Sequence, residues 1–253
     1  MIRPPHRPTV SPNGEAEAAS QPLVVLKQVW KRFPIGDTEV AALRDVSLEI
    51  PAGEFVVFLG PSGSGKTTLL NLIGGLDQPT SGEVWVAGRL LSELDERELT
   101  AYRRDVVGFV FQFFNLVPTL TALENVELVA ELVADPEDPA AVLESVGLSG
   151  REDHFPAALS GGEQQRVAIA RAMVKNPAVI LSDEPTGNLD FETAIRVLRV
   201  LRDVARSERH TVLLVTHNQD IARMADRVIR MHSGQIAEVT VNSQPTAPEE
   251  LRW

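Results

Sequence analysis

Three short stretches of this chain collect residue types that handle phosphate. Gly60-Pro61-Ser62-Gly63-Ser64-Gly65-Lys66-Thr67, followed by Thr68, has two glycines separated by four residues and then Lys and Thr, the pattern of a loop that wraps a phosphate chain. Glycines let the backbone bend so that successive N–H groups point inward. A helix starting behind the loop adds a field that favours anions. From such a loop Lys66 reaches the terminal phosphates, and the Thr67 hydroxyl is placed to hold a divalent metal. An accidental match is the competing explanation. It loses ground because Glu54 to Leu59 reads as a buried strand directly before the loop and Lys66 to Gly75 as a helix directly after it.

The second stretch is Val179-Ile180-Leu181-Ser182-Asp183-Glu184, an apolar strand ending in two acids. Nucleotide hydrolases place a metal-binding carboxylate in this way, which points to Asp183. Glu184, next along the chain, can accept a proton from an attacking water. By itself the pattern also describes a strand end with two solvated acids. The third stretch, Leu159-Ser160-Gly161-Gly162-Glu163-Gln164-Gln165-Arg166, opens the helical run Val167 to Lys175. Ser160 suits an N-cap, and Gly161 and Gly162 leave backbone N–H groups open at a helix start. That is a second anion grip on a chain whose first loop already wraps one nucleotide; the residues alone allow either a grip or a simple helix cap.

The elements that must position these residues alternate between strand and helix. Short β-like runs occur at Leu23 to Leu26, Glu39 to Ile50, Gly82 to Val86 and Val106 to Phe111, with a charged helix at Asp95 to Arg104. From about Phe113 to Ala158 the strand signals vanish and helices are expected at Thr121 to Val133 and Ala140 to Val146. Alternation returns with strands at Ala178 to Ser182, Thr211 to Thr216, Arg227 to His232 and Gln235 to Val239, and helices at Phe191 to Ser207 and from about Gln219. The fold class expected is α/β: a parallel P-loop core interrupted by a helical insert over about 113–172. The core is bounded at 23–240, with a disordered tail over 1–22 and a flexible tail over 241–253. The first tail is rich in Pro, Ala, Glu and Ser and has no apolar block of the kind a signal peptide needs.

Composition narrows the chemistry. At 253 residues and 43% hydrophobic the chain can bury one large core. It has no cysteine, and its five histidines (His6, His154, His210, His217 and His232) are scattered, which argues against disulfides and a nitrogen- or sulfur-ligated metal. A formal charge of −11 makes nucleic acid a poor partner. No run approaches the roughly 18 apolar residues that a membrane span requires, so any membrane component is expected on another chain.

Taken with their order, these residues resemble the ATP-binding subunits of ABC transporters. Leu159 to Gln164 is similar to the signature motif that those proteins present to the γ-phosphate held by the opposite subunit. Gln112, after the strand Val106 to Phe111, resembles the Q-loop glutamine. Gly187-Asn188-Leu189-Asp190 resembles the D-loop, His217 the switch histidine, and Phe33 sits where an aromatic usually stacks on adenine. Phe33 also fits a core aromatic, and His217 taken singly fits a structural histidine. The resemblance spans roughly Leu23 to Glu238 and implies the ABC ATPase fold, with an antiparallel β-subdomain at its N-terminal end. It implies ATP and Mg²⁺ as ligands: Thr67, Gln112 and Asp183 about the metal, Glu184, His217 and Gln112 as catalytic groups, and Ser160, Gly161, Gly162 and Glu163 against a second protomer's nucleotide. A homodimer closing over two ATP follows.

Phe111 to Pro118, Leu120 to Val126, Gly75-Leu76-Asp77 and Asp183 to Asp190 are similar to the lipoprotein-release and macrolide-export branch. That likeness implies an integral-membrane permease partner with an extracytoplasmic domain and a place on the cytoplasmic face of the inner (plasma) membrane. Three rivals remain. A P-loop kinase or GTPase leaves Leu159 to Arg166 unexplained and lacks a guanine-reading Asn-Lys-x-Asp. A translation or DNA-repair member of the family would carry tandem cassettes or a coiled-coil insert. A cell-envelope or cell-division regulator would use the same motor without transport, and only its partner would distinguish it.

Overall fold

The structure, a computed structural model, describes residues 22–36, 38–207 and 210–252. The tail expected over 1–22 lies outside them except for Pro22. Strands β1 (Val24–Ile35) and β2 (Thr38–Ile50) form a long antiparallel hairpin, and β3 (Phe55–Leu59) leads into α1 (Lys66–Ile73). There follow β4 (Ser81–Val86), β5 (Arg89–Leu90), α2 (Glu96–Asp105) and β6 (Val107–Val110). The helical stretch holds α3 (Ala122–Ala130), α4 (Pro139–Ser145) and α5 (Gly161–Met173). The chain continues through β7 (Val179–Asp183), α6 (Phe191–Arg206), β8 (Thr211–Thr216), α7 (Gln219–Ala222), β9 (Arg227–His232) and β10 (Gln235–Val241).

Two sheets result. A four-stranded antiparallel sheet runs β2-β1-β4-β5, and a six-stranded sheet runs β10-β9-β3-β8-β7-β6, parallel except for β10. Every residue of β3 is buried, as expected of a central parallel strand covered on both faces. Successive side chains point to opposite faces, and β3 divides accordingly. Val56 and Phe58 join α1 and the antiparallel sheet in one core, while Phe55, Val57 and Leu59 join α3, α5 and α6 in the other.

This topology builds the site. Because β6, β7, β8 and β3 are parallel, their carboxyl ends share one edge, with Leu59 opposite Thr216, Asp183 opposite Val215 and Val110 opposite Ser182. The loops carrying Gly60–Thr67, Glu184, His217 and Gln112 therefore emerge side by side, where α/β sheets bind ligands.

Some boundaries differ from the sequence reading. Helix α5 starts at Gly161, six residues before Val167, because Ser160 and Glu163 form a reciprocal capping box. Strand β5 was not anticipated; two residues cannot display a period. The segment expected to be a flexible tail after Val241 is instead packed. Leu251 is fully buried with the α6 core residues, and Thr246 and Asn242 bond the Arg223 carbonyl. The polar average of that segment concealed one apolar anchor.

An ion pair ties α6 to the start of β9. Arg202 donates two bonds to Asp226, at 2.6 and 2.7 Å, and the Phe55 N–H donates a third at 2.8 Å. Burial by itself raises the pKa of Asp226, but the Arg202 and Phe55 donors outweigh it and hold the carboxyl below its ordinary value. Stability from this pair is therefore present above the unfolded carboxylate pKa of about 3.9 and is lost as pH falls toward the folded value. Arg202→Met is expected to lower urea-unfolding stability by about 2 kcal/mol, less than a fully buried pair because Asp226 keeps some solvent contact. The acid-side fall in stability should shrink in the same variant, read from urea midpoints between pH 3 and 7.

Candidate functional site

A cleft of about 880 Å³ opens at the carboxyl edge, lined by Pro61 to Gly63, Gly65 to Thr68, Gln112, Asp183, Glu184, Gly187 and His217 from the parallel core and by Val40 to Ala42 from the hairpin. Residues more than a hundred positions apart in sequence thus face one space. Gly65 takes φ 98, and a Cβ there would lie 2.6 Å from the Ala42 carbonyl. Gly60 is bound by contact instead: a Cβ would fall 2.3 Å from the Met231 carbonyl. Ser64 is buried behind the loop, its carbonyl accepting from the Gly234 N–H. Gly60 and Ser64 therefore shape the loop and do not line the cleft.

Lys66 lies across the loop and donates to the carbonyls of Gly60 at 2.8 Å and Pro61 at 3.0 Å. Burial lowers its pKa, while Glu184 and Asp183 pull it back up. Asp183 is displaced the other way: burial raises its pKa, the neighbouring Glu184 adds to this, and Thr67 and Lys66 oppose it. Its Oδ1 accepts from the Thr67 hydroxyl at 3.3 Å. A hydroxyl and one under-compensated carboxylate side by side suit Mg²⁺, which takes one or two carboxylates and leaves further positions to substrate phosphate. Among the described residues no three acids or histidines are arranged so that they could hold a metal ion by themselves, so a metal caged wholly by protein does not fit here.

Glu184 has φ 46, left-handed backbone that costs a non-glycine residue on the order of 1 kcal/mol or more. Its N–H bonds the Val215 carbonyl at 3.0 Å, its carbonyl accepts from Gly187 N–H at 3.1 Å, and its Oε1 lies 2.9 Å from His217 Nδ1. Backbone held in this strained form aims the carboxylate toward the cleft and the exposed imidazole. Gln112 and Asn188 bond reciprocally: Gln112 Nε2 donates to Asn188 Oδ1 at 3.4 Å, and Asn188 Nδ2 donates to the Gln112 carbonyl at 3.3 Å.

Two predicted groups stand apart from the cleft. Ser160, Gly161, Gly162 and Glu163 do not line it. Glu163 accepts from the Ser160 N–H and hydroxyl, both at 2.8 Å, and from Arg151 at 3.0 Å, and these bonds, the Ser160 N–H foremost, lower its pKa. Phe33 does not line the cleft either, although its strand partner Val40 does. The Lys31 ammonium lies 4.9 Å from the Phe33 ring centre, so one face of the ring already has a cation against it.

Comparison with known proteins is consistent with this arrangement. The profile of the ABC transporter family matches residues 43–187. The chain belongs to the ABC transporter family. An uncharacterized ABC transporter ATP-binding protein of Mycobacterium tuberculosis is 48% identical over 221 residues, which covers 85% of this chain and 89% of that one. The ATP-binding/permease protein MacB of Rhodopirellula baltica, a macrolide exporter by name, is 47% identical over 85% of this chain but only 33% of its own length. Among solved structures, the ATP-binding cassette MJ0796, a dimer in a post-hydrolysis state bound to ADP and Pi, superposes with a TM-score of 0.78 at 44% identity, covering 86% of this chain and 98% of that one; its curated counterpart is from Methanocaldococcus jannaschii. This ABC ATP-binding subunit accordingly has the ABC ATPase fold, with ATP as its ligand and ATP hydrolysis as its activity.

Sequence reasoning missed the apolar wall Val40-Ala41-Ala42 and the clasp between Gln112 and Asn188. The wall carries no chemical group to notice, and the clasp joins residues 76 positions apart.

Gly60→Ala is expected to displace the phosphate loop, because the Met231 carbonyl is backbone and cannot step aside. ATP affinity should fall at least about tenfold, with stability reduced by about 1–3 kcal/mol. Titration with a fluorescent ATP analogue alongside urea unfolding would check both; native affinity would show that the loop tolerates the methyl group.

Proposed function

We propose that two copies of this ABC subunit close head to tail over two MgATP, each lending Ser160 and Gly162 to the nucleotide held by Lys66 of the other, and that closure and hydrolysis drive a separate membrane permease. The observation that carries the reading is the separation of the two anion grips. One chain holds a cleft with a phosphate loop, acid pair and imidazole, and keeps its capped α5 terminus outside that cleft. A second copy gives that terminus a purpose. The dimeric post-hydrolysis form of the related cassette MJ0796 is a precedent for such pairing.

Within each site, the backbone N–H groups of Ser62, Gly63 and residues 65–67 and the Lys66 ammonium bind the phosphates. Thr67 and Asp183 would hold Mg²⁺, with Gln112 beside them; the ion when bound offsets negative charge on the phosphate oxygens. Glu184 takes a proton from the attacking water as its oxygen bonds the γ-phosphorus and the bond to the β-phosphate oxygen breaks, leaving ADP and phosphate. His217, hydrogen-bonded to Glu184, orients that carboxylate and offers its second ring nitrogen to the γ-phosphate. Phe33 and Val40 form the base end, Phe33 by its edge or its free face.

The partner proposed is an integral-membrane permease with an extracytoplasmic domain, of the lipoprotein-release or macrolide-export type, with this subunit on the cytoplasmic face of the membrane. Support comes from the stretches Phe111 to Pro118 and Leu120 to Val126, from the MacB likeness, and from the exposed side chains of Phe113, Leu128 and Leu132 about α3. Among the described residues no helix is long and apolar enough to cross a membrane, so the span would belong to the partner.

Glu184→Gln should cut turnover by at least about a hundredfold yet keep ATP binding, so an ATP-dependent dimer accumulates on size exclusion. Extracted from solubilised membranes with ATP, the same variant should carry the permease; normal hydrolysis by it would remove Glu184 from the base role. Ser160→Gly retains a tolerated N-cap at a cost of a few tenths of a kcal/mol. It should bind ATP as a monomer within about twofold of native while dimer closure is lost, and a loss of monomer binding would sink the two-chain site.

A further inference from the structure

The nucleotide cleft occupies the edge where the parallel strands end. Near the opposite edge, where β7 and β8 begin, the chain forms a second groove of about 460 Å³ that shares no lining residue with the first. That volume falls within the range that holds small ligands. The groove lies between the last turn of α4 in the helical insert, which gives Ser145, and α6 with its C-cap in the core, which give Val200, Asp203 and Ser207. His210, directly before β8, lines it from the core side.

Its polar side chains share one chemical character. The Ser145 hydroxyl donates to the Val142 carbonyl and the Ser207 hydroxyl to the Val204 carbonyl, each at 2.7 Å. A hydroxyl has one hydrogen, so both offer the groove only lone pairs. His210 is buried, 4% exposed, with Nδ1 2.6 Å from the Pro177 carbonyl. A carbonyl only accepts, so the ring hydrogen sits on Nδ1 and the neutral ring keeps a lone pair on Nε2. Among the described residues nothing bonds Nε2, and it is not one of the enclosed polar atoms that lack a partner. It therefore opens on the groove.

Charge follows the same direction. Asp203 stands exposed at the rim and Glu137 also lines the groove, while no lysine or arginine does so among the described residues. Met173 and Val200 supply an apolar wall. An anion would meet lone pairs and carboxylates without a donor to match them, and unmatched polar groups in a recess cost free energy. A bare divalent ion is not served either, because no three acids or histidines among the described residues are placed to hold one. A donor-rich cation on a short hydrocarbon chain meets every requirement.

We propose that this groove binds a small organic cation, a primary amine or guanidinium on a short alkyl chain. The charged head bonds His210 Nε2 and pairs with Asp203, and the chain lies along Met173 and Val200. The site is independent of the nucleotide and of the two-chain reading.

The full chain labelled with ring ¹⁵N-histidine tests this, titrated with 1,5-diaminopentane at constant ionic strength. At pH 8 the amine is charged, and an ordinary histidine, with a pKa of about 6.5, is neutral. The signal lost in His210→Gln is assigned to His210; should that variant fold poorly, elimination over the other four histidines assigns it. The Nε2 resonance of His210 should move upfield and saturate with a Kd of about 5 mM or tighter, while pentane-1,5-diol leaves it in place. Asp203→Asn should weaken binding about threefold, and Val200→Phe, which fills the groove, should abolish it. Native urea midpoints and ATP titrations in both variants would show that they are folded. No saturation by about 50 mM, an equal response to the diol, or undiminished binding in folded Val200→Phe would overturn the proposal.

Discussion

A protein with a formal charge of −11 must hold one of the most highly charged metabolite classes, and no general positive field can do it. The attraction has to be local and made largely from backbone. That requirement explains why the phosphate loop leaves a buried parallel strand at its carboxyl end. There the N–H groups of the loop and of the helix start converge, with the buried Lys66 the only lysine or arginine among the described residues that line the cleft. Glycine at 60 is then dictated by contact with neighbouring backbone, and at 65 by such contact together with a left-handed φ of 98.

The same edge concentrates negative charge. Asp183 and Glu184 stand side by side at the end of β7, and burial disfavours ionisation of Asp183 and lowers the lysine opposite it. Such an arrangement is costly until a divalent cation and a polyphosphate arrive together, because each offsets what the other lacks. The strained backbone at Glu184 belongs to the same economy: conformational energy is held in the fold so that the carboxylate need not be ordered during reaction.

Motion between the two phosphate grips is constrained by how α5 is fastened. The helix carries the outward-facing Ser160 terminus, while its buried side holds the loop on either side of Gln112 through Gln165 and Arg171. On the far side of the loop, Asn188 clasps Gln112. Gln112 is therefore the junction of a nucleotide cleft, a helix that ends in an anion grip and the turn that precedes α6.

Much of this was legible in the sequence because each chemical unit is local. The loop Gly60 to Thr67, the acids Asp183 and Glu184 and the cap at Ser160 are runs of a few residues whose types and order state their own geometry, and the apolar runs before them state the parallel strands. The alternation of strand and helix determined the fold class in the same way. What only the tertiary structure decided are relations between distant positions. It brought Val40 to the cleft and left Phe33 beside it, joined Asn188 to Gln112, buried Leu251 in a segment whose average composition is polar, and set Arg171 on two carbonyls 56 and 57 positions away. An arginine in a helix pattern announces a charge, but which backbone oxygens it meets depends on how sheet, loop and helix pack together.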